Sequence, residues 1–209
     1  METAAARIEV CRPLAPEEAA RGDFYALLAR LFHAAPDAAL LQTLAHADPL
    51  PGEGDRDLAS AWDELSLASS AMDPDAATDE YEALFVGVGK ARVSIYAGYY
   101  TGALAIDHPR VRLQADLARF GLARQAQAAE PEDHFAGLFD VMRVLAAGGA
   151  GRDPAPIGEQ KGFFEAYLKP GAPRFCEAVA QAAEANYYRR VAALARAFIA
   201  IEIESFVLN

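Results

Sequence analysis

Residues that build metal centres and disulfide frameworks are scarce in this sequence. Its two cysteines, Cys11 and Cys176, lie far apart and form no CxxC pair, and its four histidines show no paired spacing. Zinc sites need clustered Cys and His ligands, and disulfide frameworks need several cysteines at regular spacings. The sequence therefore predicts no metal site and no bound cofactor, and a reducing compartment fits the few cysteines best.

Positive charge is also in short supply. Lys and Arg number 19 against 30 Asp and Glu, which gives a formal net charge of −11. Proteins that bind nucleic acid or anionic membranes need basic surfaces, so both classes of partner are disfavoured. A basic peptide would suit an acidic surface, although acidity that serves only solubility explains the same balance.

Long apolar runs and the common catalytic motifs are missing as well. No window reaches the roughly 18 apolar residues that span a bilayer, and the first residues lack the apolar run of a secretory signal. The sequence has no P-loop, no GxGxxG after a strand, no HExxH and no GxSxG. We therefore expect a cytoplasmic protein without stable membrane insertion, and none of these enzyme classes is indicated.

The sequence does contain many segments with apolar residues at helical spacing. Hydrophobic residues make up 53% of the chain, which is enough for a core, and strand-like alternation is missing over any useful length. This pattern predicts an all-α fold, with residues 1–209 in a single globular bundle of about nine or ten helices. The glycine- and proline-rich stretch 148–156 is a candidate hinge before a C-terminal helical subregion, so a monomer and a domain-swapped dimer both fit. The predicted helices include Pro16 to about His33, one opened by Glu130-Pro-Glu-Asp133, Ile157 to Leu168, and a last one from about Tyr187.

The segment 79–101 is the first that suggests a functional surface. Its helical end stops at the run Gly87-Val-Gly89, because glycine is costly within a helix and readily adopts the left-handed capping conformation. The residues that follow are aromatic and poor in charge. Three of them, Tyr96, Tyr99 and Tyr100, predict either a contact surface or an aromatic plug in the core, since tyrosine serves both.

The segment Glu130-Pro-Glu-Asp-His134 is the second. Proline and acidic residues at a helix N-terminus are ordinary capping chemistry. His134 is less usual, because it flanks the buried stripe of the predicted helix. It is either a core-edge histidine satisfied by a carboxylate or a carbonyl, or part of a groove rim where it and Asp133 meet a basic or polar ligand group.

Both segments resemble signatures of the TorD/DmsD/NarJ family of cytoplasmic molybdoenzyme chaperones. The first is similar to a Tyr-x-x-Leu-Phe-x-Gly segment followed by a Pro-Pro-Tyr-x-Ser-x-Tyr-like segment, and the second to a Pro-x-Asp-His opening with a methionine one or two helix turns later. The matching residues are Tyr81, Leu84, Phe85, Gly87, Tyr96 and Tyr100, then Pro131, Asp133, His134 and Met142. Further residues look like those of the family's C-terminal helices: Gln160, Phe163, Phe164, Leu168, Phe175 and Tyr188.

The sequence departs from the family pattern at a few positions. Ser94 and Ile95 stand where the family has two prolines, Gly98 stands at its serine, and Leu138 stands at its usual glutamate. The resemblance therefore implies a divergent member with its own client.

The resemblance also implies a TorD-like helical fold and binding rather than catalysis. Such chaperones hold the twin-arginine signal peptide of an apo-molybdoenzyme and delay export until the cofactor is inserted. The expected partners are the precursor of a molybdoenzyme catalytic subunit and its signal peptide.

A receptor for such a peptide needs carboxylates beside an apolar groove, because the peptide carries two arginines followed by an apolar stretch. Carboxylates form charge-assisted hydrogen bonds with arginine, and tyrosine offers both a ring face and a hydroxyl. The expected residues are Asp133, Glu132 and Glu80 for the arginines, Tyr96, Tyr99, Tyr100 and Phe135 for the apolar part, and His134 as a groove-shaping or pH-sensitive residue. This hypothesis requires Tyr96, Tyr100 and His134 to lie close together at an opening.

Two other functions compete with this hypothesis. One is an acid–base enzyme that uses His134, but neighbouring residues on a helix diverge by about 100°, so Asp133 could hardly orient the ring. The other is a non-catalytic helical scaffold or regulator without a peptide groove.

Overall fold

The computed structural model describes residues 13–51, 54–87, 90–101, 109–122, 131–149 and 151–208. Within these ranges the chain forms nine α-helices and no named β-strand, so the prediction of an all-α bundle is confirmed. No helix in the described ranges is long and apolar enough to cross a membrane. The helices are α1 Pro16–His33, α2 Ala38–Ala45, α3 Arg56–Ala71, α4 Pro74–Tyr81, α5 Pro109–Arg119, α6 Phe135–Ala147, α7 Ile157–Phe163, α8 Ala172–Gln181 and α9 Tyr187–Leu208. Cys11, Gly89, His108 and Glu130 lie outside the described residues.

Short polar side chains set the starts of several helices. Asp37, Asp55 and Asp73 each accept hydrogen bonds from backbone N–H groups in the first turns of α2, α3 and α4. Such a cap satisfies donors that have no partner within the helix, and it stabilises the helix by about 1 kcal/mol. α1 and α4 also begin with proline, whose missing N–H is harmless in a first turn. α1 and α9 begin at Pro16 and Tyr187, as predicted.

The core lies between α1, α6, α8 and α9. α1 and α6 approach each other closely at Gly22, where an added Cβ would lie 2.5 Å from the Cβ of Ala147. Further along the same pair, the rings of Phe32 and Phe139 stack with centroids 6.0 Å apart, and both side chains are fully buried. Buried aromatic rings of this kind contribute large apolar areas, and their burial stabilises the bundle.

A buried ion pair joins α1 to α9. The Arg21 guanidinium donates two hydrogen bonds to the Glu202 carboxylate, at 2.7 and 2.8 Å, and a third to Gln160 Oε1 at 3.0 Å. The Tyr25 hydroxyl donates to the same carboxylate at 2.6 Å. Burial disfavours the charged guanidinium, but the hydrogen bonds and attraction to Glu202 outweigh it and raise the pKa of Arg21. The buried Glu202 carboxylate therefore has a charged and a neutral hydrogen-bond partner on α1, and the contact holds the ends of the two helices together.

Two predicted helices end differently from the sequence-based expectation. The helix predicted over 157–168 is α-helical only through Phe163, and it continues as the π-helical segment Phe164–Leu168. A similar π-helical turn, Glu82–Val86, follows α4 and stops at Gly87, which has φ +65° and accommodates the predicted break. The spacing of apolar residues does not distinguish a π-helical turn from an α-helical one, so this local change could not be predicted.

The candidate hinge 148–156 lies between α6 and α7. The N–H of Ala155 donates to the Leu145 carbonyl at 2.8 Å, and Gly149 and Arg152 exchange backbone hydrogen bonds. Gly148 has φ +73°, and an added Cβ would meet the Arg152 carbonyl oxygen at 2.2 Å. Glycine is therefore required at this turn. Its use as a hinge for exchange of the C-terminal subregion stays a prediction.

Candidate functional site

The two segments predicted to form the site meet in an isolated antiparallel β-bridge between Tyr96 and His134. The N–H of Ala97 donates to the Asp133 carbonyl at 2.8 Å, and the N–H of Phe135 donates to the Ile95 carbonyl at 3.0 Å. Residues 133 and 134 are therefore not helical. This pairing corrects the predicted helix start, because α6 begins at Phe135 rather than near residue 130.

His134 is the N-cap of α6. Its Nδ1 accepts a hydrogen bond from the N–H of Ala136 at 3.2 Å, and its ring meets the Tyr96 ring edge to face, with centroids 5.5 Å apart and an interplanar angle of 84°. A neutral imidazole that accepts at Nδ1 carries its proton on Nε2. The lone pair that a general base would use is thus engaged in the helix cap, which disfavours the acid–base role considered for this residue.

Asp133 is held against the turn that follows Tyr96. Its Oδ2 accepts a hydrogen bond from the N–H of Gly98 at 3.2 Å, and only 8% of the residue is exposed. An added Cβ on Gly98 would lie 2.9 Å from this oxygen. The close approach of carboxylate and backbone thus depends on glycine at position 98.

Glu132 lies half-buried beside α5. Its Oε1 accepts a hydrogen bond from Gln114 Nε2 at 2.8 Å. Two residues after Gln114 on α5, the Asp116 carboxylate accepts a hydrogen bond from the Tyr167 hydroxyl at 2.6 Å. Burial and this hydrogen bond raise the pKa of Tyr167, so its hydroxyl remains a donor at neutral pH. Sequence reasoning missed these contacts of α5, because nothing in the spacing of residues 109–120 indicates which part of the chain they meet.

The three tyrosines divide between core and surface. Tyr100 is buried, and its hydroxyl donates to the Ser94 carbonyl at 2.7 Å. Tyr96 is half-buried, whereas 71% of Tyr99 is exposed. The alternatives of a contact surface and an aromatic plug are therefore both realised, by different members of the same run.

Two of the predicted binding residues, Phe135 and Glu80, contact the interior and another helix instead of lying on the bridge. Phe135 is fully buried and stacks on Phe175, with centroids 4.4 Å apart and an interplanar angle of 19°, so it belongs to the core. The carboxylate of Glu80 accepts three hydrogen bonds, at 2.8 to 3.0 Å, from the N–H groups of residues 186–188. Glu80 thus caps the N-terminus of α9, a structural role that the sequence did not indicate.

The structure therefore brings most of the predicted site together. Asp133, His134 and Tyr96 lie side by side on the bridge, while Glu132 and Tyr99 extend from it toward solvent. Tyr96 and His134 are in direct contact, but Tyr100 and His134 are buried, so the opening that the hypothesis requires stays a prediction.

The family model described as nitrate reductase delta subunit matches residues 52–177, which include both site segments and more than half of the chain. The chain belongs to this family. The predicted membership among NarJ- and TorD-type chaperones is thereby confirmed, and the family is one of chaperones for the maturation of redox enzymes.

A solved structure with a similar fold is described as a redox enzyme maturation protein from Archaeoglobus fulgidus. The two chains are 18% identical, with a TM-score of 0.54 over 94% of this chain and 99% of the other. At this identity the likeness shows that the helical fold is shared. No curated protein matches this chain.

Proposed function

We propose that this protein is a cytoplasmic, non-catalytic chaperone that binds the twin-arginine signal peptide of a molybdoenzyme precursor. It holds the apo form of the catalytic subunit while the cofactor is inserted, and so delays export. Residues 1–209 act as one chaperone domain.

One observation carries this proposal: the carboxylate-bearing loop 131–134 is paired directly with the tyrosine-rich loop 94–100. The pairing creates a short surface with carboxylates on one side and aromatic rings on the other. A peptide with adjacent arginines and an apolar stretch needs both kinds of group next to each other. Family membership supports the same assignment.

The binding roles follow from the exposure of each side chain. The half-buried Glu132, together with Asp133, would take the arginines through charge-assisted hydrogen bonds. Tyr96 and Tyr99 would contact the apolar stretch. Tyr100, Phe135 and His134 support these groups from beneath, and we assign Glu80 to the fold rather than to the peptide.

Calorimetric titration with a synthetic twin-arginine peptide tests this function. We expect binding to the native protein, and affinity about tenfold weaker for Asp133→Asn, which keeps the shape of the side chain but removes its charge. Asp140→Asn is the matched control, since that carboxylate is exposed on α6 and pairs with Arg143.

The outcomes separate the competing functions. Added salt should weaken peptide binding, because paired charges are screened. A plain helical scaffold would not bind the peptide under any of these conditions. Equal affinity of the native protein and Asp133→Asn, at equal stability, would show that the arginines bind elsewhere.

A further inference from the structure

Helix α5 carries the same chemistry as the peptide that the site is proposed to bind. In a strongly acidic protein it has three arginines and one acidic residue, at positions 110, 112, 119 and 116. Large apolar side chains lie at positions 113, 117 and, just beyond the helix end, 120, spacings of four and three that place them on one face, whereas Val111 is exposed. That face is turned inward, since Leu113 is almost fully buried and Phe120 meets Phe163 with ring centroids 6.2 Å apart.

Helix α5 is attached next to the candidate site through polar side chains. Gln114 donates to Glu132, which directly precedes Asp133, and Asp116 accepts from Tyr167. Tyr167 lies one helical turn before Gly171, whose added Cβ would lie 3.4 Å from the Ala97 carbonyl oxygen. α5 therefore spans from the carboxylate side of the site to the segment that flanks the tyrosine loop.

The hydrogen bond between Gln114 and Glu132 is one that a signal peptide could replace with a stronger one. Gln114 offers a neutral amide, whereas an arginine forms charge-assisted and often bidentate hydrogen bonds with a carboxylate, roughly twice as strong. The apolar face of α5 likewise covers surface that an apolar peptide segment would cover. An arriving peptide can thus replace the Gln114 contact and the apolar contacts of α5, while the hydrogen bond between Asp116 and Tyr167 is lost.

We propose that α5 is an internal placeholder that occupies part of the peptide-binding surface, and that the signal peptide displaces it. The inference rests on the proposed function and adds where the apolar part of the peptide binds: the surface now covered by Leu113, Leu117 and Phe120. Displacement makes the apparent affinity depend on the fraction of molecules in which α5 is released. A client peptide must then carry both arginines and an apolar segment to compete.

Substitutions that loosen or tighten α5 should change peptide affinity in opposite directions. Tyr167→Phe removes the hydrogen bond to Asp116 but keeps the ring, and Gln114→Ala removes the bond to Glu132. We expect each to strengthen binding of the synthetic twin-arginine peptide roughly three- to tenfold, because each releases α5. Gln114→Arg places a cation of the chain itself on Glu132, and it should weaken binding by a similar factor.

Tyr187→Phe is the matched control. It removes a tyrosine hydroxyl that lies 3.0 Å from Ser69 Oγ, in the packing of α3 on α9, and it should leave peptide affinity unchanged. Hydrogen exchange of the full chain supplies a second measurement. Peptide should increase exchange at the amides of residues 111–119 and leave those of α1 and α6 protected.

The results distinguish failure of this inference from failure of the proposed function. If no peptide binds to the native protein or to any variant, the proposed function is wrong. If peptide binds but Tyr167→Phe and Gln114→Ala bind it equally or more weakly, or if peptide slows exchange in α5, the helix is a part of the receptor and not a placeholder.

Discussion

Two groups of carboxylates in this protein are held in contrasting ways. Glu202 is 1% exposed, and its partners are a guanidinium and a phenol supplied by α1. At the candidate site, Asp133 accepts from a backbone N–H and Glu132 from a neutral amide. The fold thus supplies Glu202 with a cation in its interior. We propose that the two site carboxylates, Asp133 and Glu132, bind a further cation from a client, which is the difference between a stabilising ion pair and a receptor for a basic peptide.

Removing Glu202 should produce the largest effect on stability. Glu202→Ala leaves the partly buried Arg21 without its carboxylate, and because its side chain is 19% exposed we expect a cost of about 3 kcal/mol, the low end of the range for one lost partner of a buried pair. Chemical denaturation of the variant and the native protein measures this loss. The exposed pair of Asp140 with Arg143 is the comparison, and Asp140→Ala should cost under about 0.5 kcal/mol. Equal costs at the two positions would show that burial of the first pair has no energetic consequence.

The cap formed by Glu80 should matter for stability and not for binding. Glu80→Ala removes the acceptor of three backbone N–H groups at the start of α9. We expect the free energy of unfolding to fall by about 2 kcal/mol, while affinity for the synthetic peptide changes less than about twofold. A large loss of affinity in a folded variant would show that Glu80 does bind the peptide.

In contrast to Glu80, Gly98 should matter for peptide binding and not for stability. Gly98→Ala brings a Cβ to within 2.9 Å of Asp133 Oδ2, so the carboxylate must move. We expect peptide affinity to fall about tenfold with little change in the thermal midpoint. Gly162→Ala is the control, because an added Cβ there meets nothing within 4 Å in α7, and it should leave affinity unchanged. Unchanged affinity in Gly98→Ala would mean that the position of the Asp133 carboxylate is unimportant for binding.

The sequence predicted the helices better than it predicted their contacts. Apolar spacing and proline placement depend on local physics, and they located α1 and the start of α9. The start of α6 was wrong because its first residues pair with the tyrosine loop, almost forty positions earlier in the chain. A local pattern contains no information on such pairing.

The same limit explains the mixed outcome at the site. Residue type and the family resemblance together placed Asp133, His134 and Tyr96 in one region, and the structure shows them adjacent. It could not separate the exposed Tyr99 from the buried Tyr100, since neighbouring tyrosines have the same chemistry and differ only in direction. Nor could it show that Glu80 is already bound by the N-terminus of α9, because that contact joins positions more than one hundred residues apart.

A double-mutant cycle across the proposed contact measures whether Asp133 binds the arginines of the peptide. Calorimetry would compare native protein and Asp133→Asn, each with the twin-arginine peptide and with a peptide whose arginines are replaced by glutamine. If Asp133 binds the arginines, the two changes are coupled by about 1 kcal/mol or more, and the same cycle with Glu80→Gln gives a coupling near zero. Additive effects at Asp133, or coupling only at Glu80, would contradict the account.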